Sequence, residues 1–154
     1  MNDFSKIRRL FTEIVGALES QKLLNHLGLK QIHNIQSRTR KGIDLFGNPF
    51  QQYSDEYAEW KEKRGLPANV INLTLHDIDG MMHQIDHVLS PDLKSVEIQI
   101  LDPGKRKLAS YHDQTGAGKS RVIRRFWGVS EEDQKGLGEI VTHDLELLLQ
   151  RLSD

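Results

Sequence analysis

Apolar positions in the first part of the chain recur at intervals of three and four. Phe4, Ile7, Leu10, Phe11, Ile14, Val15 and Leu18 share one helical face, while Arg8, Arg9, Glu13 and Glu19 point elsewhere. The spacing predicts one amphipathic helix over residues 3–26, within an N-terminal segment 1–28 that Gly28 ends. A single apolar stripe predicts a core-facing helix, and a subunit contact is the sharper alternative. At the other end Leu137, Ile140, Val141, Leu145, Leu148, Leu149 and Leu152 form a second stripe. It predicts a helix over 130–152. Ser130 and Asp133 make a capping-box-like start, with Glu131 and Glu132 favouring the positive end of the helix dipole.

The middle of the chain is less regular. Residues 30–41 are ambiguous, with Ile32 and Ile35 compatible with a second helix. Lys41 to Phe50, inside a loop motif spanning 36–53, is broken by Gly42, Gly47 and the Asn48-Pro49 step. Ser54, Asp55 and Glu56 open a short helix that Lys61, Lys63, Arg64 and Gly65 close, with Tyr53, Tyr57 and Trp60 as its aromatic mass. Val70–Leu75 reads as a strand or extended lead, and residues 79–89 as a short helix with Met81, Met82, Ile85, Val88 and Leu89 as its apolar set. Val96, Ile98 and Ile100 alternate with Glu97 and Gln99, which predicts a strand over 95–101. Residues 102–105 read as a turn, 116–118 as a flexible glycine loop and 121–128 as extended or turned. Together these predict an α+β fold: a single small domain, 1–154, with long N- and C-terminal helices packed on a small, mainly antiparallel sheet.

Composition narrows the chemistry. The chain has 154 residues and no cysteine, which excludes disulfides, thiolate metal sites and cysteine nucleophiles. No apolar run is long enough to span a bilayer, and the first residues lack the apolar core of a signal peptide, so the expectation is no membrane and cytoplasmic synthesis. The formal net charge is -1, which argues against a uniformly basic nucleic-acid binder. By segment the picture changes. Residues 69–103 hold six acids and one base, 104–128 seven bases and one acid, and 129–154 seven acids and two bases, giving nets of -5, +6 and -5. Such blocks can steer a partner, or interleave and cancel after folding.

Several motifs carry chemistry. Gly116-Ala117-Gly118-Lys119-Ser120 resembles the end of a phosphate loop, but Asp113 stands where that motif needs its first glycine. Asp79, His83 and His87 fall four apart, which on a helix would place two imidazoles and a carboxylate on one face, a set able to hold zinc or iron. A His-Asp phosphohydrolase would need a further His, for which His33 is only a loose option. No serine elbow or triad is visible. Lys119, Arg121, Arg124, Arg125 and Trp127 mix basic and aromatic character, which suits phosphate contacts, base stacking or a protein interface. Trp127 fits either a core or an interface anchor.

Three ordered blocks resemble a tailed-bacteriophage family, the virion morphogenesis or tail completion proteins of Mu-like phages. The first runs from Ile35 to Ser54 and contains Arg38, with Gly42, Asp44, Gly47, Phe50, Tyr53 and Ser54 filling the family pattern. The second is Asn72–Leu75 through Asp79–Met82, where His76-Asp77-Ile78-Asp79 replaces a simpler turn. The third is Tyr111-His112 with Thr115-Gly116, followed by Arg125-Phe126-Trp127-Gly128-Val129-Ser130. Ser110 replaces a small apolar residue beside His112, and Arg124-Arg125 replace an Arg-Pro form.

The resemblance implies a non-enzymatic structural protein without a cofactor, in the neck or tail of the virion after assembly in the host cytoplasm. It implies a ring-like homo-oligomer that contacts other neck or tail proteins and transiently DNA in the lumen. It gives His112 a hydrogen-bonding structural role and Asp44 an Asx-type turn. The alternatives are a nucleic-acid-binding module on the basic 119–127 segment and a metal-dependent enzyme on Asp79, His83 and His87.

Overall fold

The computed structural model describes residues 3–18, 20–66, 80–119 and 121–153. Its fold is α+β, with long helices at both ends and a two-stranded antiparallel sheet. The elements are α1 (Asp3–Leu18), α2 (Gln21–Arg40), α3 (Asp55–Glu62), β1 (Ile85–Leu89), β2 (Val96–Ile100), α4 (Pro103–Ser110) and α5 (Glu131–Ser153).

The first helical segment is two helices, not one. Ser20 has extended backbone angles, and its Oγ accepts the Leu23 N–H at 3.1 Å, so it caps a new helix where the stripe predicts continuity. Gly28 does not end a helix. It lies inside α2, where the His87 ring of β1 lies against it. A Cβ at position 28 would sit 2.7 Å from two His87 ring carbons. The glycine therefore permits helix and strand to approach closely, and the ambiguous residues 30–40 simply continue α2.

The helix expected over 79–89 is also replaced. Met81–His83 form a single 3₁₀ turn, and Ile85–Leu89 pair with Val96–Ile100, Ile85 facing Ile100 and Leu89 facing Val96. The turn between the strands is closed by Ser90, whose Oγ accepts the N–H groups of Lys94 and Ser95 at 3.1 and 3.0 Å. The Asp102-Pro103 step, expected as a turn, starts α4. Asp102 accepts the Lys105 N–H at 2.7 Å, and Pro103 occupies the first turn, where a missing N–H is harmless. Residues 70–75 and 79 lie outside the described residues.

The core is centred on α2 and the hairpin. Ile32, Ile35, Phe50, Met81, Met82, Ile85, Ile100, Ala109 and Phe126 form one buried cluster, with Tyr53, Ile98 and Trp127 against it. The terminal stripes lie outside this cluster: Ile14 on α1 and Leu137, Ile140, Val141, Leu145 and Leu148 on α5 are half-buried. Along α1, Phe11 is 63% exposed and Val15 47%. On α5, Leu147 and Leu149 are exposed too.

The close approach at Gly28 gives a test. Gly28→Ala should lower stability by about 1–3 kcal/mol through overpacking. Adding His87→Ala should recover part of that loss in thermal melts; strictly additive losses would contradict the contact.

Candidate functional site

Residues 122–130 form an extended strap to which the first and third motif blocks connect. Its side chains alternate: Val122, Arg124 and Phe126 are buried, while Ile123 and Arg125 are exposed. Its backbone is held from several directions. Arg124 N–H donates to the His112 carbonyl at 2.7 Å. Asp113 Oδ1 accepts the N–H groups of both Phe126 and Trp127 at 2.9 Å. Arg38 Nη2 donates to the carbonyls of Phe126 and Gly128 at 3.1 and 3.3 Å.

Arg38 also pairs with Asp133, Nη1 to Oδ2 at 2.7 Å, and both side chains are at most a tenth exposed. The same carboxylate oxygen accepts the Ser130 N–H at 2.9 Å and the Gln31 amide at 3.3 Å, and Ser130 Oγ accepts the Asp133 N–H in return. Asp133 thus both completes the capping box that Ser130 opens at the start of α5 and serves as the counter-ion of Arg38 on α2. Burial alone would raise its pKa. The Ser130 N–H, the Arg38 guanidinium and the Gln31 amide outweigh burial and hold it below the usual carboxylate range.

The loop after α2 docks on the same strap. Asp44 Oδ1 accepts the N–H groups of Phe46 and Asn48 at 2.9 and 2.8 Å, making an Asx-type turn. Phe50 N–H donates to the Gly42 carbonyl at 2.7 Å, closing the loop. Gly42 and Gly47 have φ of +72° and +86°, which favours glycine. Leu45 N–H then donates to the Arg125 carbonyl at 2.7 Å, while a Cβ on Gly128 would meet the Leu45 side chain at 3.0 Å.

Next to the strap lies a buried cationic cluster. Arg124 Nε and Nη2 donate to the Gln51 carbonyl at 3.3 and 3.0 Å, and the guanidinium sits 5.1 Å from the Tyr53 ring centroid. Lys61 Nζ lies 4.5 Å from the same centroid and donates to the Tyr53 hydroxyl at 3.3 Å. Burial, then the Arg124 charge, lowers the Lys61 pKa. The same two causes, in the same order, lower His112 to about 4. The buried His112 Nδ1 has no partner among the described residues, and His112 bonds through its backbone carbonyl, which takes the Arg124 N–H.

The remaining expected site residues separate into framework and surface. Lys119, Arg121 and Arg125 are exposed, but Arg124 is 6% exposed and leaves the basic surface expected of 119–127. Trp127 is half-buried, edge-on to Phe126 with ring centroids 6.0 Å apart. Ser54 sits at the N-cap of α3 without a side-chain cap bond. Gly116, expected to be flexible, is packed closely enough that a Cβ would overlap the Arg121 carbonyl. Asp113 in the phosphate-loop resemblance is engaged by the strap.

The metal set loses its geometric premise. His83 is on the 3₁₀ turn and His87 on β1, so no helical face joins them. His87 Nε2 lies 2.9 Å from Asn25 Oδ1, and Asp79 is outside the described residues. Among the described residues, no group of three His, Asp or Glu side chains is placed to hold a metal. No described helix is long and apolar enough to cross a membrane.

Sequence reasoning missed Gln31, Asp133 as an ion-pair partner, and Asp113 as a strap clamp. The only signal was the Ser130–Asp133 cap, and it concerns α5 alone. No family model, curated protein or solved structure matches the chain.

The neutral state of His112 gives a pH test. Between pH 6.5 and about 4 the unfolded chain binds a proton there that the folded chain does not. Folded stability should therefore fall as pH drops through that window, by about 3 kcal/mol in full, and be insensitive to this group above it. Urea melts of His112→Gln should show a flatter profile between those limits; an unchanged slope would contradict the burial.

Proposed function

We propose that this chain is a structural virion assembly protein of a tailed phage or prophage, a tail completion or head–tail connector subunit acting as a ring-like homo-oligomer. The supporting observation is the convergence of two separated blocks of the resemblance on one strap. Arg38, Asp44, Phe50 and Tyr53 come from the first block, and His112, Phe126 and Gly128 from the third. Met81 and Met82, from the described end of the second, join the same core. These side chains hold a framework together rather than converge on a reactive atom, as a building block requires.

Ring assembly accounts for the apolar stripe of α1. Ile7, Phe11 and Val15 are four residues apart and all about half exposed or more. In a heterologous ring one patch of each subunit meets a different patch on its neighbour, and successive contacts close the circle. The exposed Lys119, Arg121 and Arg125 suit a lumen through which DNA passes. The partners in the particle are other copies of the chain and other neck or tail proteins.

Native mass measurement and negative-stain microscopy of the purified protein, alone and with neck proteins, test the proposal. Rings are expected. Phe11→Glu should abolish them while leaving the monomer's melting temperature within about 2 °C. A strictly monomeric protein absent from virions would overturn it.

A further inference from the structure

The strap and the loop that docks on it leave two backbone donors unused. The Arg124 N–H and the Val122 carbonyl bond toward residues 112–117, while the Arg125 carbonyl accepts the Leu45 N–H on the other side. Along an extended chain, successive residues turn their N–H and C=O groups to opposite edges. The N–H groups of Ile123 and Arg125 therefore point toward the loop. Neither takes an acceptor among the described residues. The Gln51 carbonyl of the loop is already engaged by the Arg124 guanidinium.

Between loop and strap lies a cleft of about 260 Å³. A water in the liquid takes about 30 Å³, so a small oxyanion fits there with part of its hydration shell. Pro49 and Phe50 line the loop side, and Ile123, Arg124 and Arg125 the strap side. One carboxylate, Asp44, is also in the lining, and its Oδ1 already accepts the Phe46 and Asn48 N–H groups. Two cations thus stand against one anion. Lys61 adds a third cation on the Tyr53 ring that Arg124 also contacts. Lys61 and Arg124 are both buried, and neither has a carboxylate partner among the described residues. A buried cation without a counter-ion is costly, and an anion brought beside it offsets part of that cost.

We infer that this cleft binds a phosphate oxyanion, held by the Ile123 and Arg125 N–H groups and by the Arg124 and Arg125 guanidinium groups. Guanidinium forks and neighbouring backbone N–H groups are the donors that recognise phosphate oxygens. Backbone donors on one edge and side-chain donors beside them suit a tetrahedral anion better than a planar carboxylate. A free phosphate ion and a phosphate on a nucleic-acid backbone offer the same oxygens to these donors. The cleft keeps its donors whatever particle the chain serves.

The probe is inorganic phosphate, titrated into the full chain to about 10 mM at neutral pH, with a Kd expected near about 1 mM. The amide resonances of Ile123 and Arg125 and the Arg124 Nε resonance should shift together and saturate. Sodium chloride at matched ionic strength should not reproduce the shifts, and acetate should bind at least roughly threefold more weakly. Arg125→Gln, an exposed change, should weaken phosphate binding at least roughly threefold. A short DNA duplex that moves the same amides at a lower phosphate concentration assigns the source to a nucleic-acid backbone. Movement by inorganic phosphate alone assigns it to the free ion. Ile123 and Arg125 amides unmoved by both probes would overturn the inference, as would shifts that chloride or acetate match, or equal phosphate affinity in the Arg125→Gln protein.

Discussion

The buried pairing of Arg38 with Asp133 is the constraint on which the rest of the arrangement depends. Taking two charges out of water costs several kcal/mol each, and their attraction alone offsets this only with good geometry and further hydrogen bonds. Here those bonds come from parts of the chain that must then stay where they are. The guanidinium needs the carbonyls of Phe126 and Gly128, and the carboxylate needs the Ser130 N–H and the Gln31 amide. One ion pair thus joins α2 to the start of α5 and fixes the strap between them.

The strap in turn decides what is core and what is surface. With its backbone clamped, Phe126 is fully buried beside Phe50 and Ile35, while Arg125 and Ile123 face outward. The loop of residues 42–50 is ordered by Asp44 and then docked through Leu45, so its glycines serve shape rather than mobility. The domain that results is well specified around α2 and the hairpin but leaves apolar area on α1 and α5.

How much of this was legible in sequence follows from the range of each interaction. Local signals reported local structure: the alternation at 96–100, the acidic start and basic end of 55–62, and the Ser130–Asp133 cap all describe elements that are present. Failures arose where a tertiary contact overrode a local rule. Gly28 looked like a stop because a glycine that admits the ring of a histidine 59 residues away has the same sequence signature. Ile85 and Leu89 share a helical face as well as a strand face, and only pairing with β2 decides between them. Ser20 and Asp102 carry helix-cap chemistry, which a continuous apolar stripe and an Asp-Pro-Gly turn signal mask in the sequence. Of the candidate site, Arg38 could be singled out but its partner 95 residues away could not, since nothing local ties them.

The central claim is that Arg38 and Asp133 act as one unit. It is tested most directly by a double-mutant cycle of Arg38→Met and Asp133→Asn, read by urea unfolding at pH 7. The asparagine keeps an acceptor for the Ser130 N–H, so the cycle isolates the charge. The account predicts that each single change costs roughly 3 kcal/mol or more, because the surviving partner is left buried and poorly satisfied. The double change should recover at least about 1.5 kcal/mol of the summed loss. Losses that add to within about 0.5 kcal/mol would contradict it.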